Sequence, residues 1–227
     1  MGTKKVLKKN SAKQLISITK NGPYEVSNLP LDEVIMITTK DGSPIDWKKG
    51  KKIRVEKSYS LCRCGHSTNK PFCSGAHKEK GFDGTLTATK EKFYKNAEKT
   101  VGEKLTLFDN GNLCNHAGFC TVGVGVWEGV TIAKNDDLKR KIVKQICDCP
   151  TGRLVVVDNK TKKELEPKFE KSISVVIEPE GSGPIWVKGK VKVNPDKGKS
   201  YEKRNRVCLC TCGKSRNKPF CDGAHLE

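Results

Sequence analysis

The stretch Leu61 to His77, LCRCGHSTNKPFCSGAH, occurs a second time as Leu209 to His225, LCTCGKSRNKPFCDGAH. The two copies agree at 13 of 17 positions, with a constant offset of 148 residues. A repeat this strict indicates a repeated site and not only a repeated core. Each copy contains three cysteines and one histidine spaced C-x-C-x8-C-x3-H. Four such donors are enough to close one metal site.

The spacing inside each copy predicts how the donors are presented. Cys62 and Cys64 are separated by one residue, so on an extended chain their sulfurs point to the same side. Cys73 and His77 are four residues apart and would share one face of a helix, whose N-terminus would favour a thiolate. The spacing alone leaves a structural zinc site open, because three Cys and one His also bind zinc.

Both copies resemble the CDGSH iron-sulfur domain, since they share its remaining motif residues, which are Ser67, Pro71, Phe72 and Gly75 in the first copy and Ser215, Pro219, Phe220 and Gly223 in the second. In that family three cysteines and one histidine bind a [2Fe-2S] cluster. The resemblance implies a first cluster on Cys62, Cys64, Cys73 and His77, and a second on Cys210, Cys212, Cys221 and His225. In each cluster the first two cysteines would hold one iron and the Cys-His pair the other.

The two copies differ beside the third cysteine. The family's usual Asp is present as Asp222 in the second copy, whereas the first copy has Ser74. Both side chains can cap a turn, but only Asp adds a charge, so the two sites are expected to differ in potential. His66 aligns with Lys214 and Cys208 with Ser60, so we interpret His66 and Cys208 as non-ligands, Cys208 being a small packing residue.

A different cysteine pattern lies between the two copies. The run from Cys114 to Cys120 reads CNHAGFC, and Cys147-Asp148-Cys149-Pro150 follows later. This resembles a divergent mono-cluster ferredoxin segment in which the middle cysteine of C-x2-C-x2-C has become Ala117. The resemblance implies a third cluster on Cys114, Cys120 and Cys149, either [3Fe-4S] or [4Fe-4S], with Cys147 or His116 as a candidate fourth ligand. The alternative is a ferredoxin-like scaffold that has lost its cluster.

Composition narrows the class of protein. The 227 residues include 11 cysteines in metal-like spacings, which disfavours a secreted disulfide scaffold and favours cytoplasmic residence. No apolar run is long enough for a membrane span. The net charge is +18, yet aromatics make up only 6% and no nucleic-acid-binding motif can be placed. We interpret the charge as a solvated surface that can also steer an acidic partner.

The predicted fold class is α+β, with two small β-rich CDGSH modules flanking a ferredoxin-like α+β domain. The predicted segments are a Lys-rich leader (1–22), the first module (23–95), the ferredoxin-like domain (96–166) and the second module (167–227). Strands are expected at 34–39, 52–55 and 172–177, a strand-like stretch up to Val126-Trp127, and a helix at 136–146. Gly183-Pro184-Ile185 echoes Ser43-Pro44-Ile45, so the repeat is expected to include strands as well as the motif.

The expected function is one-electron transfer between the clusters and a redox partner protein, without enzymatic activity of the chain itself. One alternative is cluster storage, transfer to an apo iron-sulfur acceptor, or redox and pH sensing. A third, of another class, is a structural zinc protein that binds nucleic acid. We expect a monomer in which the two modules pair within the chain, as single-motif relatives pair by dimerisation.

Overall fold

The computed structural model describes residues 13–227, which form twelve strands and three α-helices. The strands are β1 (Leu15–Ile18), β2 (Tyr24–Ser27), β3 (Leu31–Thr38), β4 (Pro44–Ile53), β5 (Ser58–Leu61), β6 (Glu98–Val101), β7 (Leu105–Asp109), β8 (Leu154–Asp158), β9 (Ser172–Glu178), β10 (Gly181–Lys188), β11 (Lys192–Asn194) and β12 (Arg206–Leu209). The helices are α1 (Ala76–Glu79), α2 (Gly125–Ile132) and α3 (Asp136–Asp148). This mixed composition confirms the α+β prediction.

Two of the three sheets combine strands from both ends of the chain. The first sheet has the order β11-β1-β2-β5 and the second the order β12-β10-β9-β3-β4. Strand β1 pairs in parallel with β11, and β3 pairs in parallel with β9. The second module therefore lends β11 to the first sheet, and the first module lends β3 and β4 to the second. One apolar core lies beneath both sheets, because its buried residues, such as Ile16 and Ile173, come from both modules.

The strand register shows which parts of the two modules are equivalent. Tyr24 pairs with Leu61, the first residue of the first motif, and Ile185 pairs with Leu209, the first residue of the second. The Gly-Pro step before Tyr24, at 22–23, therefore corresponds to Gly-Pro at 183–184. The predicted echo of 183–185 at 43–45 is wrong, because Pro44 begins β4, which pairs only with β3 at the sheet edge.

The middle of the chain forms its own small domain. Strands β6, β7 and β8 make an antiparallel sheet, and α2 and α3 pack on it around Ile142 and Ile146. Gly129 of α2 lies so close to Ile142 that a Cβ atom there would be 2.3 Å from Ile142 Cδ1. The expectation of a strand up to Val126-Trp127 is wrong, because these residues belong to helix α2. The close contact with α3 buries the face of α2 that carries Val126 and Val130.

The N-terminal part of the chain contributes more than a leader. Residues 1–12 of the predicted leader lie outside the described residues, but Leu15–Ile18 form strand β1, with Ile16 and Ile18 buried. The leader prediction therefore fails for β1, whose alternating apolar residues face the shared core. The other segment boundaries stay predictions. In residues 13–227 no helix has the length and apolar character needed to cross a membrane.

Candidate metal centres

Each motif continues directly from a strand and folds back on it. In the first motif the Cys62 N–H donates to the Pro71 carbonyl at 2.8 Å, and the Cys73 N–H donates to the Ser60 carbonyl at 2.9 Å. In addition, the Ser67 hydroxyl donates to the Phe72 carbonyl at 2.5 Å. The second motif repeats these bonds at Cys210, Cys221 and Ser215, at 2.8, 2.9 and 2.7 Å. The shared loop is thus fixed mainly by backbone bonds, which the repeated sequence dictates.

The folded loop places the predicted ligands in two pairs. In the first motif the Cys62 and Cys64 sulfurs are 3.8 Å apart, and Cys73 Sγ is 3.5 Å from His77 Nδ1. In the second motif the corresponding distances, at Cys210 with Cys212 and at Cys221 with His225, are 3.7 and 3.5 Å. The structure therefore brings the predicted donors of each motif together as two pairs.

The thiols of the second motif are electrostatically linked. A hydrogen bond with Cys210 and a backbone N–H from Lys214 lower the pKa of Cys212 to about 6, although burial opposes this. The hydrogen bond with Cys212 and burial raise the pKa of Cys210 well above its usual value. The pair therefore loses its first proton readily and holds the second, which a metal ion has to displace.

The cysteine and histidine of each pair do not share a helix. Helix α1 begins only at Ala76, three residues after Cys73, and spans four residues. In the second motif the residues after Cys221 form turns. The helix-face interpretation is therefore wrong. A tight turn at Gly75 and Gly223, with φ of +87° and +89°, brings the two side chains together, and glycine adopts this conformation without strain.

The two histidines differ in their second partner. His225 Nε2 lies 2.7 Å from Glu178 Oε2, and the carboxylate is buried with an exposed fraction of 7%. Burial opposes a charge on His225, but its bonds with Cys221 and Glu178 raise its pKa to about 10. In the tautomer that donates Nε2–H to Glu178, Nδ1 is free to bind a metal. Within residues 13–227, His77 Nε2 has no hydrogen-bond partner.

The two motifs also differ in what covers them. A Cβ atom at Gly75 would meet nothing within 4 Å, whereas one at Gly223 would lie 2.7 Å from His116 Cδ2 and 3.1 Å from the Asn115 carbonyl. Cys221 is 3% exposed, while Cys73 is only half-buried. The middle domain thus covers the second motif and leaves this side of the first motif open.

The two motifs touch each other through their backbones. A Cβ atom at Gly65 would lie 2.5 Å from the Cys212 carbonyl, and one at Gly213 would lie 2.8 Å from the Cys64 carbonyl. Only glycine permits this approach. The Tyr24 hydroxyl strengthens the contact, since it lies 2.9 Å from the Cys210 carbonyl and donates across the module boundary.

The three cysteines predicted for a third cluster surround one cavity. Cys114, Cys120 and Cys149 line a space of about 340 Å³, together with His116 and Ala117. Burial, with the neighbouring Cys149 and Cys114, raises the pKa of Cys120 to about 11. The structure thus gathers these three positions and leaves the position of Ala117 facing the same space.

Of the two candidate fourth ligands, only one faces this cavity. Cys147 is not part of the cavity lining, and its thiol donates to the Leu165 carbonyl at 3.3 Å. Burial raises the pKa of Cys147 to about 11. Cys147 as fourth ligand is therefore wrong, because the packing of helix α3 directs its sulfur to the Leu165 carbonyl and away from the cavity. His116 lines the cavity and stays a candidate.

Two family models match the segments of the chain that contain these centres. A family model described as iron-binding zinc finger, CDGSH type, matches residues 21–78 and 182–226. A second, described as divergent 4Fe-4S mono-cluster, matches residues 100–159. The chain carries two CDGSH domains with a divergent 4Fe-4S mono-cluster domain between them. These matches identify an iron-sulfur protein. No curated protein matches the chain.

No pattern in the sequence points to the contact between Glu178 and His225 in the second CDGSH domain. Glu178 lies 47 residues before His225 and outside every motif. Only the pairing of β9 with β10 places it beside the histidine. A search for buried carboxylates at strand ends could have suggested it, but not its partner.

Proposed function

We propose that this iron-sulfur protein is a one-electron carrier in which three sites follow one another in contact. Cys62, Cys64, Cys73 and His77 would hold the first [2Fe-2S] cluster, and Cys210, Cys212, Cys221 and His225 the second. Cys114, Cys120 and Cys149, with His116 as fourth donor, would hold a [4Fe-4S] cluster. When bound, each cluster supplies a one-electron couple.

The pairing of donors supports binuclear sites over single zinc ions. A tetrahedral metal ion bound to two thiolates at 2.3 Å requires about 3.8 Å between the sulfurs. The Cys62–Cys64 and Cys210–Cys212 separations are 3.8 and 3.7 Å. In residues 13–227, however, no three or more His, Cys, Asp or Glu side chains form a group suited to one metal ion. Two donors for each of two metal atoms fit this arrangement.

The observation that carries electron transfer is the contact between consecutive sites. The first and second motifs touch at Gly65 and Gly213, and the second touches the middle cysteine loop where Gly223 meets His116. Electron transfer needs such short separations, whereas independent storage sites do not. These contacts between the loops hold the proposed sites next to one another.

A second candidate function has support at the first site alone. Because nothing lies within 4 Å of a Cβ atom at Gly75, an apo acceptor could approach the Cys73–His77 pair there. Cluster transfer would then use the first site and leave the second, covered one in place. Mixing holoprotein with an apo acceptor, and following which site loses its spectrum, separates this candidate from electron transfer.

The main test is anaerobic purification with iron, sulfide and zinc analysis, followed by EPR. Two [2Fe-2S] clusters predict about four irons per chain, and a third [4Fe-4S] cluster about eight in total. On partial reduction we expect magnetic coupling between the first and second sites and between the second and third. A chain that contains zinc without iron, or clusters without any coupling, would refute the proposal.

The middle site has its own test. Changing Cys114, Cys120 and Cys149 together to Ser should remove about four irons and one EPR signal, leaving both [2Fe-2S] signals. Cys147→Ser is the matched control and should change neither. If the triple variant keeps the iron content of the parent, the middle domain is a scaffold without a cluster. Electron transfer within the chain would then involve the first and second sites alone.

A further inference from the structure

Two arginines are fully buried in this fold, and only one of them has a counter-charge. Arg206 donates to Glu166 at 2.6 Å and is 1% exposed. Arg63 is 2% exposed, but in the described part of the chain no carboxylate lies within ion-pair distance of it. The rings of Tyr24 and Phe82, whose centres lie 5.8 and 5.1 Å from the guanidinium carbon, stabilise the charge in part. A buried charge without an opposite charge nevertheless remains unfavourable. The surroundings of Arg63 therefore favour an anion.

Arg63 faces a cavity that contains none of the predicted cluster ligands. Its guanidinium donates to the backbone carbonyls of Gly22, Gly84 and Thr19 at 2.8, 2.9 and 3.0 Å. These bonds hold it at the wall of a cavity of about 320 Å³. A guanidinium has five N–H donors, so these three bonds leave donors available.

A second buried group in the same cavity lacks a partner. Tyr201 is 4% exposed and lines the space, and its hydroxyl is buried without a hydrogen-bond partner in the described structure. Buried hydroxyl groups are nearly always hydrogen-bonded, because an unpaired one is costly. A ligand that accepts hydrogen bonds would satisfy Tyr201 and Arg63 together.

The remaining charges of the lining also suit an anion. Lys20, Lys90 and Lys197 border the cavity, against one carboxylate, Asp196. Lys90 Nζ lies 5.8 Å from the centre of the Tyr201 ring, so its charge is near the hydroxyl-bearing ring. With Arg63 the lining holds four cations and one anion, a balance that favours a doubly charged oxyanion over a single carboxylate.

We propose that this cavity, between Arg63 and Tyr201, binds a phosphate-class oxyanion, either free phosphate or the phosphate group of a small molecule. Arg63 and Tyr201 would donate to the oxyanion from the buried wall. The three lysines would neutralise its remaining charge at the open side. Arg63 lies between Cys62 and Cys64 of the first motif, but none of the eight predicted [2Fe-2S] ligands lines this cavity. The proposal does not depend on electron transfer.

The test is equilibrium dialysis of the anaerobically purified holoprotein with inorganic phosphate, in a chloride buffer of fixed ionic strength. We expect one phosphate per chain. Tyr201→Phe keeps the ring and should weaken binding about tenfold or more, since hydrogen bonds to charged groups are strong. Lys90→Met should weaken it severalfold. The matched controls are Tyr94→Phe and Lys134→Met, which remove a hydroxyl and a surface charge elsewhere and should leave binding unchanged.

Two further outcomes decide the proposal. Tighter binding of AMP than of phosphate would assign the site to a phosphate group on a small molecule, and equal or weaker binding would assign it to the free oxyanion. Equal losses in Lys90→Met and Lys134→Met would mean general attraction to a chain of net charge +18, and would overturn the proposal. Unchanged binding in Tyr201→Phe would overturn it as well.

Discussion

The two CDGSH domains have nearly the same motif but different surroundings. In the second domain Glu178 contacts His225, His116 covers Gly223, and Cys221 is almost fully buried. In the first domain the corresponding side is open, and His77 lacks a second partner among residues 13–227. The loop geometry is the same to within 0.1 Å in the donor pairs, at 3.8 and 3.5 Å against 3.7 and 3.5 Å.

The motif therefore sets which donors are present, whereas the neighbouring domain sets how accessible they are. Of the two motifs, the second is the one that the middle domain covers, through Asn115 and His116, so one chain contains a covered site and an open one. We expect the open site to exchange with partners and the covered site to link it to the middle domain.

The largest difference is expected from a matched pair of glycine substitutions. Gly75→Ala and Gly223→Ala both place a side chain at positive φ, which costs roughly 1–2 kcal/mol. Only the Gly223→Ala methyl group would also meet His116, which should add about 1–3 kcal/mol. Thermal unfolding by circular dichroism should therefore show a clearly lower Tm for Gly223→Ala. Adding His116→Ala to the Gly223→Ala variant should recover part of the lost stability. Equal Tm values for Gly75→Ala and Gly223→Ala would contradict the proposal that His116 covers Gly223.

The next difference concerns iron release. Cys73→Ala should remove the first [2Fe-2S] cluster and keep the second, whereas Cys221→Ala should remove the second and keep the first. Each variant should contain about two irons fewer than the parent. We expect a ferrous chelator to remove iron from the first site about tenfold faster, because that site is open and its histidine lacks a carboxylate partner. Faster release from the second site would reverse the comparison.

Glu178→Gln should reduce the difference between the sites. The amide keeps the size of the side chain but removes the negative charge that faces His225, so the potential of the second site should rise. Iron release from this site should also become severalfold faster. Glu25→Gln is the matched control, because Glu25 accepts a hydrogen bond from Ser60 and contacts no predicted ligand. An unchanged potential in Glu178→Gln would show that the carboxylate does not act on the site.

The smallest effect is expected from exchanging Ser74 and Asp222. Asp222 accepts backbone N–H bonds from Arg216 and Ala224, at 2.7 and 3.2 Å, which partly compensate its charge. Asp222→Ser should therefore raise the potential of the second site only slightly, and Ser74→Asp should lower that of the first. A redox titration in which Asp222→Ser lowers the second potential further would refute this electrostatic explanation.

Local sequence signals predicted the elements that depend on local chemistry. The apolar spacing of Leu138, Ile142 and Ile146 indicated α3, and β-branched runs indicated β3 and β9. Helix α2 was missed because its glycines disfavour a helix, and only their close packing against α3 makes them useful. Strand β1 was missed because it is short and follows a lysine-rich segment.

Residue types at fixed spacing specify the two donor sets, the turn glycines and the family of each domain, so these can be recognised without a structure. Tertiary packing sets which strands the modules exchange, brings Glu178 to His225, and places His116 over Gly223. These contacts join residues from 47 to 177 positions apart. No local pattern encodes such pairs, because they depend on how the sheets of both modules and the inserted domain pack together.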